Sequence, residues 1–568
     1  MQDSRVPLVI GATGHRDLVP EELPALEAIV EALLKQLKAE FPDLPLRLMT
    51  ALADGADRLA ARVAHGLDIP VTILLPMPEA LYRSQFAEPP DELFEELLDN
   101  SEVICLPDPA ATGFAVAGVD PSAMETRYAQ LGVYLAAHSH ILLAIWDGKD
   151  SQAAGGTSSV VRFHQQSTMD CLSGDLRRSP IDFSEDESDL VYHVVCSRRD
   201  SGAPASDYAP GDACWLSRDD VEPRTADLPD RYRRVFRQQA SFNRDLDALL
   251  AAVPAGDRDS AAGEPVLREV LATHSRIDQL AQSFQRRALR SIRLTFLFIA
   301  LAGVSFIAYA DLPGTDPVIF TYLLFLLMAI ALHRLERRNE WYRKYLDYRG
   351  LAEGIRVQYY WGLAGVAPAE ATRYPHDLFT RHQDLEAGWV RNVMRFVARK
   401  VDALEQGTTP DGLERCINEW VGDAASGQIA FYEQRAQQRL KRSRLTRRLT
   451  TLSFGIGAVL ALVLALFQKE LADGARDLGI ALMGLLPFLA AVRQSYAHRV
   501  LERELIVQYG YMARIFGNSR RLLDRSTDAA ERREILRALG EASMDELATW
   551  IMRQRERPIS GSQLFQLG

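Results

Sequence analysis

The sequence predicts two structural classes in one chain: an N-terminal α/β domain with a doubly wound parallel sheet, and an all-α membrane region with two transmembrane helical hairpins. Three observations support this division. Short apolar runs alternate with helical patterns over roughly the first 200 residues. Four long apolar runs occur only in the second half of the chain. Clusters of arginine and lysine flank those runs.

The α/β prediction rests on six apolar segments that match the length of strands. These are residues 5–10, 46–50, 71–75, 102–106, 140–146 and 192–196. Helical patterns separate them at 21–41, 58–64, 125–137 and 160–166. Apolar strands alternating with helices are typical of a parallel sheet that is covered on both faces. The segment 150–227 is rich in Ser, Gly and Asp and is interpreted as an irregular insertion in this domain.

The membrane prediction rests on residues 294–310, 318–332, 449–467 and 478–492, which contain no Asp, Glu, Lys, Arg or His. A bilayer core takes about 20 helical residues, so the shorter runs need flanking arginines that reach the interface. Buried core helices of a soluble protein are the alternative. Short turns join the runs into two hairpins, which favours membrane spans. Without an intramembrane ionisable group, a proton-coupled transporter is disfavoured.

Charge predicts the orientation of the hairpins. Basic residues flank the long segments, whereas the two short turns are mainly acidic. The positive-inside rule then places both termini in the cytoplasm of a four-span inner-membrane protein. The N-terminus has no basic region followed by an apolar stretch, so no cleavable signal peptide is expected. The predicted division is 1–225 for the α/β domain, 226–293 for connecting helices, 294–332 and 449–492 for the hairpins, 333–448 for a cytoplasmic helical region and 493–568 for C-terminal cytoplasmic helices.

Composition excludes several function classes. In 568 residues, 47% are hydrophobic and 25% charged, so the chain is neither disordered nor collagen-like. A net charge of -11 argues against nucleic acid as a partner, since non-specific binding needs a basic surface. The five cysteines are far apart, with no CxxC or Cys/His cluster. Reduced thiols are therefore expected, and no metal site is predicted.

Candidate ligand-binding residues follow the predicted strands, where ligands bind in doubly wound sheets. Glycines admit phosphate to the backbone, a helix N-terminus supplies N–H groups, and arginine adds bidentate contacts. The candidates are Gly11, Gly14, His15, Arg16, Asp54, Gly55, Asp57, Arg58, Arg127, Asp147, Gly155, Gly156, Thr157 and Ser158. Neither GxxxxGK[ST] nor GxGxxG is present. Taken singly, some of these candidates also have a structural alternative. The glycines, Asp54 and Ser158 could form turns or helix caps, and His15 could anchor the first turn.

Four motifs occur in a characteristic order: GATGHRDL, ALADGADRLAARVA, ETRYAQLGVYLAAHSHILLAIWDG and AGGTSSVV. Together they resemble the SLOG superfamily, a Rossmann-like group that includes the LOG phosphoribohydrolases, the DNA-processing protein A family and the ligand domain of melastatin-type TRP channels. This resemblance covers about residues 5–220 and implies a nucleotide-derived ligand. The hairpins with their long basic helices, at about 265–540, resemble SLATT domains, the two-helix membrane effectors of bacterial conflict systems.

One departure from the LOG hydrolases bears on turnover. Their PGGxGTxxE motif carries a catalytic glutamate, whereas Gly156-Thr157 is followed here by Ser-Ser-Val-Val. Binding without turnover is therefore favoured. If the protein is an enzyme, Glu125 or Asp147 would take the place of that glutamate.

The resulting prediction is a homo-oligomeric membrane effector that senses a nucleotide-derived ligand and perturbs or permeabilises the bilayer, in bacterial conflict or antiphage defence. Its expected partners are the lipid bilayer and a nucleotide-like small molecule, and no other cofactor is predicted. A membrane-tethered nucleotide N-glycosidase or phosphoribohydrolase is the enzymatic alternative. A constitutive channel with a vestigial nucleotide fold is a third possibility.

Overall fold

Eight strands form one sheet in the N-terminal part of the chain. They are β1 (Leu8–Gly14), β2 (Leu46–Thr50), β3 (Val71–Leu75), β4 (Glu102–Cys105), β5 (Ile141–Trp146), β6 (Leu190–Val195), β7 (Ala213–Leu216) and β8 (Arg224–Thr225). Their order across the sheet is β4-β3-β2-β1-β5-β6-β7-β8. The computed structural model describes residues 5–86, 92–112, 114–120, 122–151, 153–166, 189–200, 202–205, 207–217, 223–252, 265–312, 314–366, 387–402, 410–467, 471–500 and 502–555.

The predicted α/β fold with a doubly wound sheet is confirmed, but the sheet is mixed rather than wholly parallel. The strands from β4 to β6 are parallel, whereas β7 and β8 are antiparallel. These last two strands lie within the segment interpreted as an irregular insertion. No strand pattern was visible because β8 has two residues. β7 lies between β6 and the edge strand β8, and the ring of its Trp215 contacts that of Tyr192 on β6 at 4.7 Å between centroids.

β1 is longer than its sequence pattern indicated, and it includes two of the candidate glycines. Gly11 and Gly14 pair with β5 inside the strand instead of following it. A Cβ on Gly11 would collide with the side chain of Ser139, and one on Gly14 with Ala56 and the backbone of β5. These glycines therefore allow neighbouring elements to approach the centre of the sheet closely.

Seven helices follow the strands of the parallel part. They are α1 (Leu23–Glu40), α2 (Ala56–Gly66), α3 (Glu79–Arg83), α4 (Glu92–Asn100), α5 (Pro109–Thr112), α6 (Met124–His138) and α7 (Thr157–Gln166). α1 buries Leu26, Val30, Leu33, Leu34 and Leu37, which share one helical face. The chain then continues through helices that are long by comparison.

These helices are α8 (Asp230–Ala252), α9 (Pro265–Asp311), α10 (Val318–Asn339), α11 (Trp341–Ala364), α12 (Gly388–Asp402), α13 (Pro410–Arg415), α14 (Gly427–Phe467), α15 (Asp473–Arg499), α16 (Glu502–Arg525) and α17 (Ala529–Arg555), with a π-helical turn at Cys416–Val421. One helix, α9, runs without a break into the first apolar run. α11 ends at Ala364.

The chain divides into two compact units that do not follow its linear order. One unit contains residues 1–277, 350–409 and 540–568, and the other contains 278–349 and 410–539. The sheet therefore belongs to a unit built from three separate stretches of chain. α8 is an integral part of it, because Asn243 donates hydrogen bonds to the carbonyl oxygens of Val6 and Asp43.

The second unit contains helices that are long and apolar enough to span a membrane. In the part of the chain that the structure describes there are four such spans, within Pro265–Asp311, Val318–Ala364, Gly427–Phe467 and Asp473–Arg525. Only 6–17% of their most apolar windows is buried. Phe320, Leu327 and Leu466, for example, are exposed. This exposure disfavours the alternative of buried core helices, since a core helix buries its apolar side chains.

Small residues bring these apolar helices close together. A Cβ on Gly303 of α9 would collide with the ring of Phe488 of α15. Gly457 of α14 lies against Pro487, where a Cβ would be 3.1 Å from the proline Cγ. α15 continues through Pro487 without a break. Close helix approach at glycine, expected for membrane helices, thus occurs at Gly457, whereas Gly455 has open space around it.

Candidate functional site

A cavity of about 640 Å³ opens at the carboxyl ends of β1 and β5, where the order of the strands reverses. Ligands bind at this position in doubly wound sheets. Six parts of the chain line it: the end of β1 with its following turn, the β2–α2 turn with the start of α2, α3, α6, the segment from the end of β5 into α7, and the segment after β6. Its volume falls within the range of small-molecule sites, about 300–1,000 Å³.

Most of the residues that the sequence singled out lie around this cavity. The lining includes Gly14, His15, Arg16, Asp57, Asp147, Gly155, Gly156, Thr157 and Ser158. They come from turns that are far apart in the sequence. The turns converge because the carboxyl ends of parallel strands share one edge of the sheet.

Other candidates lie outside the lining and have structural contacts instead. They are Gly11, Asp54, Gly55, Arg58, Arg127 and Glu125. Arg58 pairs with Asp54 at 2.9 Å and donates a hydrogen bond to the carbonyl oxygen of Leu52. Arg127 pairs with Asp108. Those contacts engage both guanidinium groups in the structure without a ligand.

The turn between β2 and α2 has an unusual backbone. Leu52 has a φ of 54° and Gly55 a φ of 78°. Positive φ is costly for a bulky residue, and such conformations cluster at functional sites. A Cβ on Gly55 would lie 2.6 Å from the carbonyl oxygen of Arg16. The turn therefore packs directly against the backbone that carries Arg16 and fixes its position.

One end of the cavity combines an acid, a cation and two aromatic rings. Asp57 is buried and accepts a hydrogen bond from the N–H of Ala51 at 3.3 Å. Burial raises the pKa of Asp57 to about 6, although the charge of Arg16 opposes the shift. The Arg16 guanidinium lies 4.9 Å from the ring centroid of Tyr128, and Tyr82 donates its hydroxyl to the Ala51 carbonyl. This end can stack a planar group and exchange a hydrogen bond with it.

An imidazole and a carboxylate face each other in the lining. Nε2 of His15 lies 3.0 Å from Oδ1 of Asp147, and both side chains are largely buried. The same carboxylate oxygen accepts a hydrogen bond from the N–H of Lys149 at 3.1 Å. The His15 Nε2 atom makes no hydrogen bond of good geometry to any residue that the structure describes, so the contact brings the two groups together in the lining without orienting the imidazole. The bond from Lys149 fixes the turn after β5.

The N-terminus of α7 forms a further wall. Gly155 has a φ of 75°, and a Cβ there would lie 2.6 Å from the backbone of Tyr128. The hydroxyl of Ser158 is engaged with the backbone of Ser151, accepting from its N–H at 3.0 Å. Because the first turn of a helix has N–H groups without intrahelical partners, Thr157 stands where an anion would be held. The N–H of Gly156, just before α7, donates to the carbonyl oxygen of Ala153 at 3.1 Å.

Sequence reasoning missed several lining residues. They include Tyr82, Tyr128, Trp146, Lys149 and Arg198. Arg198 follows the carboxyl end of β6 and pairs with Asp17 at 3.0 Å, so the strand-end rule would have found it. The tyrosines lie within α3 and α6, and no pattern distinguishes them from core residues.

The lining offers mixed charge and no metal centre. Its charged residues are Arg16, Lys149, Arg198, Asp17, Asp57, Asp147 and Asp150. Among the described residues, no group of three or more His, Cys, Asp or Glu is placed to hold a metal ion. The cavity thus suits a polar organic ligand.

Comparison of the chain with protein-family models, curated proteins and solved structures gives no match. The likeness to SLOG and SLATT proteins therefore rests on the motifs quoted above.

Proposed function

We propose that this chain is a membrane effector in which a nucleotide-derived ligand, bound in the cavity of the sheet unit, controls the hairpins. One observation carries the proposal: the same chain contains a cavity of about 640 Å³, where the order of the strands reverses, and four exposed apolar helices. A soluble ligand site alone would not require those helices. A channel alone would not require the cavity.

The chemistry of the lining supports a ligand with an anionic and a planar part. The N-terminus of α7 suits a phosphate. Lys149 and Arg198 also line the cavity, where Lys149 donates to the carbonyl oxygen of Ala203 at 2.7 Å and Arg198 pairs with Asp17 at 3.0 Å. The Arg16–Tyr128 pair, also in the lining, offers a surface for a base. A phosphorylated nucleoside combines these two parts in a molecule of suitable size.

The membrane part of the proposal follows from the distribution of charge. Arginines border the apolar spans, and the turns of the hairpins are acidic. We therefore assign the sheet unit and both termini to the cytoplasmic side of the inner membrane. Homo-oligomers of the hairpins would perturb or permeabilise the bilayer, a function suited to bacterial conflict or antiphage defence.

The enzymatic alternative retains one supporting observation, the His15–Asp147 pair in the cavity lining. Glu125, the other acid considered, is exposed and outside the lining. A hydrolase of the N-glycosidase type would use Asp147 or His15 to handle the proton of a leaving base. Release of free base from nucleoside monophosphates by the full chain, lost in Asp147→Asn, would favour this alternative.

A charge-only substitution tests the binding proposal. Full-length protein in lipid nanodiscs is titrated calorimetrically with nucleoside mono- and diphosphates. Gly156→Asp places a negative charge at the α7 N-terminus, and Gly156→Asn is its matched uncharged control. Both side chains cap helices well, so α7 should persist in each. Repulsion of a phosphate should weaken binding by about ten- to a hundredfold in the aspartate variant relative to the asparagine variant. Equal affinities in the two variants, or no binding by the unmodified chain, would overturn the proposal.

A further inference from the structure

α7 extends from the cavity to the opposite edge of the sheet. Its first residue, Thr157, lines the cavity, and its ten residues rise about 15 Å. In its last turn, Nδ1 of His164 lies 3.0 Å from the carbonyl oxygen of Ala136, and Nε2 lies 3.3 Å from that of Leu190. Leu190 is the first residue of β6. The far end of α7 is thus fixed at the amino ends of the strands.

A buried carboxylate lies at that end of α7. Asp189 directly precedes β6, and its Oδ1 accepts hydrogen bonds from Arg391 at 3.2 Å and Arg395 at 2.9 Å. Although burial alone would raise the pKa of Asp189, the two guanidinium groups hold it well below its usual range. The negative charge of Asp189 also acts on His164. This carboxylate therefore links the end of α7 to α12.

Three arginines fix α12 along the amino edge of the sheet. Arg391, Arg395 and Arg399 recur every fourth residue, and each is at most 2% exposed. Arg395 donates to the carbonyl oxygen of Ser139 at 2.8 Å, and Arg399 donates to Oγ1 of Thr72 at 2.8 Å. Burying a guanidinium group costs free energy unless it is hydrogen-bonded or ion-paired. These contacts therefore fix α12 in one position.

The position of α12 in the sequence suggests why this helix is held so firmly. α12 lies between the two hairpins, after α10 and α11 and before α14. A simple linker between membrane spans would have no need of a buried arginine ladder. α12 is instead built into the unit that contains the cavity.

We propose that α7, Asp189 and the arginine ladder of α12 couple the cavity to α12, the helix that lies between the two hairpins in the chain. A ligand that displaces the N-terminus of α7 shifts its far end, where His164 contacts Leu190 next to Asp189. The hydrogen bonds that Asp189 accepts from Arg391 and Arg395 then move α12. The proposal rests on the proposed function only for the identity of what fills the cavity.

A substitution can displace α7 without any ligand, so this test is independent of nucleotide binding. Gly132 of α6 lines the cavity, and a Cβ there would lie 2.6 Å from Cγ2 of Val160 on α7. Gly132→Ala therefore pushes on α7. Gly66→Ala is the matched control, because an added Cβ at that helical glycine meets nothing within 4 Å. Amide hydrogen exchange is measured on the full chain in nanodiscs.

Gly132→Ala should raise exchange in α7 and in α12 (388–402) by about fivefold or more, the lower end of ordinary allosteric coupling. Gly66→Ala should leave hydrogen exchange in α12 unchanged. In an Arg395→Lys background, Gly132→Ala should change exchange in α12 less than it does in the unmodified chain. Unchanged exchange in α12, in both Gly132→Ala and the larger Gly132→Val, overturns the proposal. An equal rise across β2, β3 and α12 also overturns it, because that pattern reports general loosening.

Discussion

Nε2 of His140 lies 3.0 Å from the carbonyl oxygen of Asn392, and Nδ1 of the same ring accepts a hydrogen bond from the N–H of Val9 at 3.0 Å. Because Nδ1 is an acceptor, the neutral ring carries its proton on Nε2 and donates it to Asn392. A second proton would remove the acceptor facing Val9. Burial, together with the positive charge of Arg395 and Arg391, lowers the pKa of His140 well below its ordinary value. The contact between β1 and α12 thus requires a neutral histidine.

The sheet unit should lose stability in mild acid. Below pH 6.5, the ordinary histidine value, the unfolded chain binds a proton that folded His140 excludes. From about pH 7.5 to 5.5 this costs about 1.4 kcal/mol per excluded proton. Thermal unfolding of His140→Gln should show a correspondingly smaller loss over this interval than the unmodified chain. Asp57, whose pKa is raised to about 6, acts in the opposite direction in both proteins. Identical pH profiles would contradict the assignment.

Removing one partner of the buried cluster should be strongly destabilising. Asp189→Asn leaves the buried Arg391 and Arg395 without their carboxylate, and breaking buried pairs costs about 3–5 kcal/mol. Arg162→Gln breaks an exposed pair with Asp150, which is worth about 0–1 kcal/mol. Midpoints of thermal unfolding in detergent compare the two variants. A shift for Asp189→Asn no larger than that for Arg162→Gln would show that α12 is held by other contacts.

The close approach of two membrane helices should depend on Gly303. Gly303→Ala places a methyl group in the space occupied by the ring of Phe488, whereas Gly455→Ala adds one in open space. Both changes carry the same gain in helix propensity, so their difference isolates packing. We expect Gly303→Ala to be less stable than Gly455→Ala by about 1–3 kcal/mol, measured by thermal aggregation in detergent. Equal stability would mean that the helices separate at Gly303.

Thiol labelling of intact cells tests the assigned orientation. A membrane-impermeant maleimide should label Asp316→Cys, in the turn of the first hairpin, because that turn is assigned to the outer side. Leu522→Cys on α16 should react only after permeabilisation. The exposed native Cys105 supplies an internal control on the cytoplasmic side. Labelling of Leu522→Cys in sealed cells would reverse the orientation.

Local pattern was sufficient for the parallel strands and for the long helices. Strands such as Val71–Leu75 are buried on both faces, so they are continuously apolar and bounded by turns. The apolar part of α9 could be predicted because residues 294–310 contain no charged residue and are nearly long enough to span a bilayer. Local pattern could not predict which stretches of the chain make up the sheet unit. Residues 350–409 join it through long-range contacts of α12, and sequence proximity carries no information about them.

The candidate site was partly predictable for the same reason. Arg16, Asp57 and Gly156 could be placed because one rule, the position of strand ends, brings them to one edge. Arg58 satisfied that rule but bonds to Leu52 and Asp54. Whether a guanidinium faces a cavity or a carboxylate depends on the rotation of its helix, which the sequence does not specify. Tyr82 and Tyr128 were missed because aromatic residues in helices usually belong to the core.

Because the sheet unit is built from three stretches of chain, it can be completed only late in synthesis. Residues 350–409 complete the amino edge of the sheet, and 540–568 belong to the same unit. At roughly 5–20 residues per second, the ribosome needs tens of seconds to pass from the first stretch to the last. Both hairpins are synthesised in between. A newly synthesised chain therefore cannot complete its sheet unit before its apolar helices have been made, and a chain truncated within them should be open to proteases.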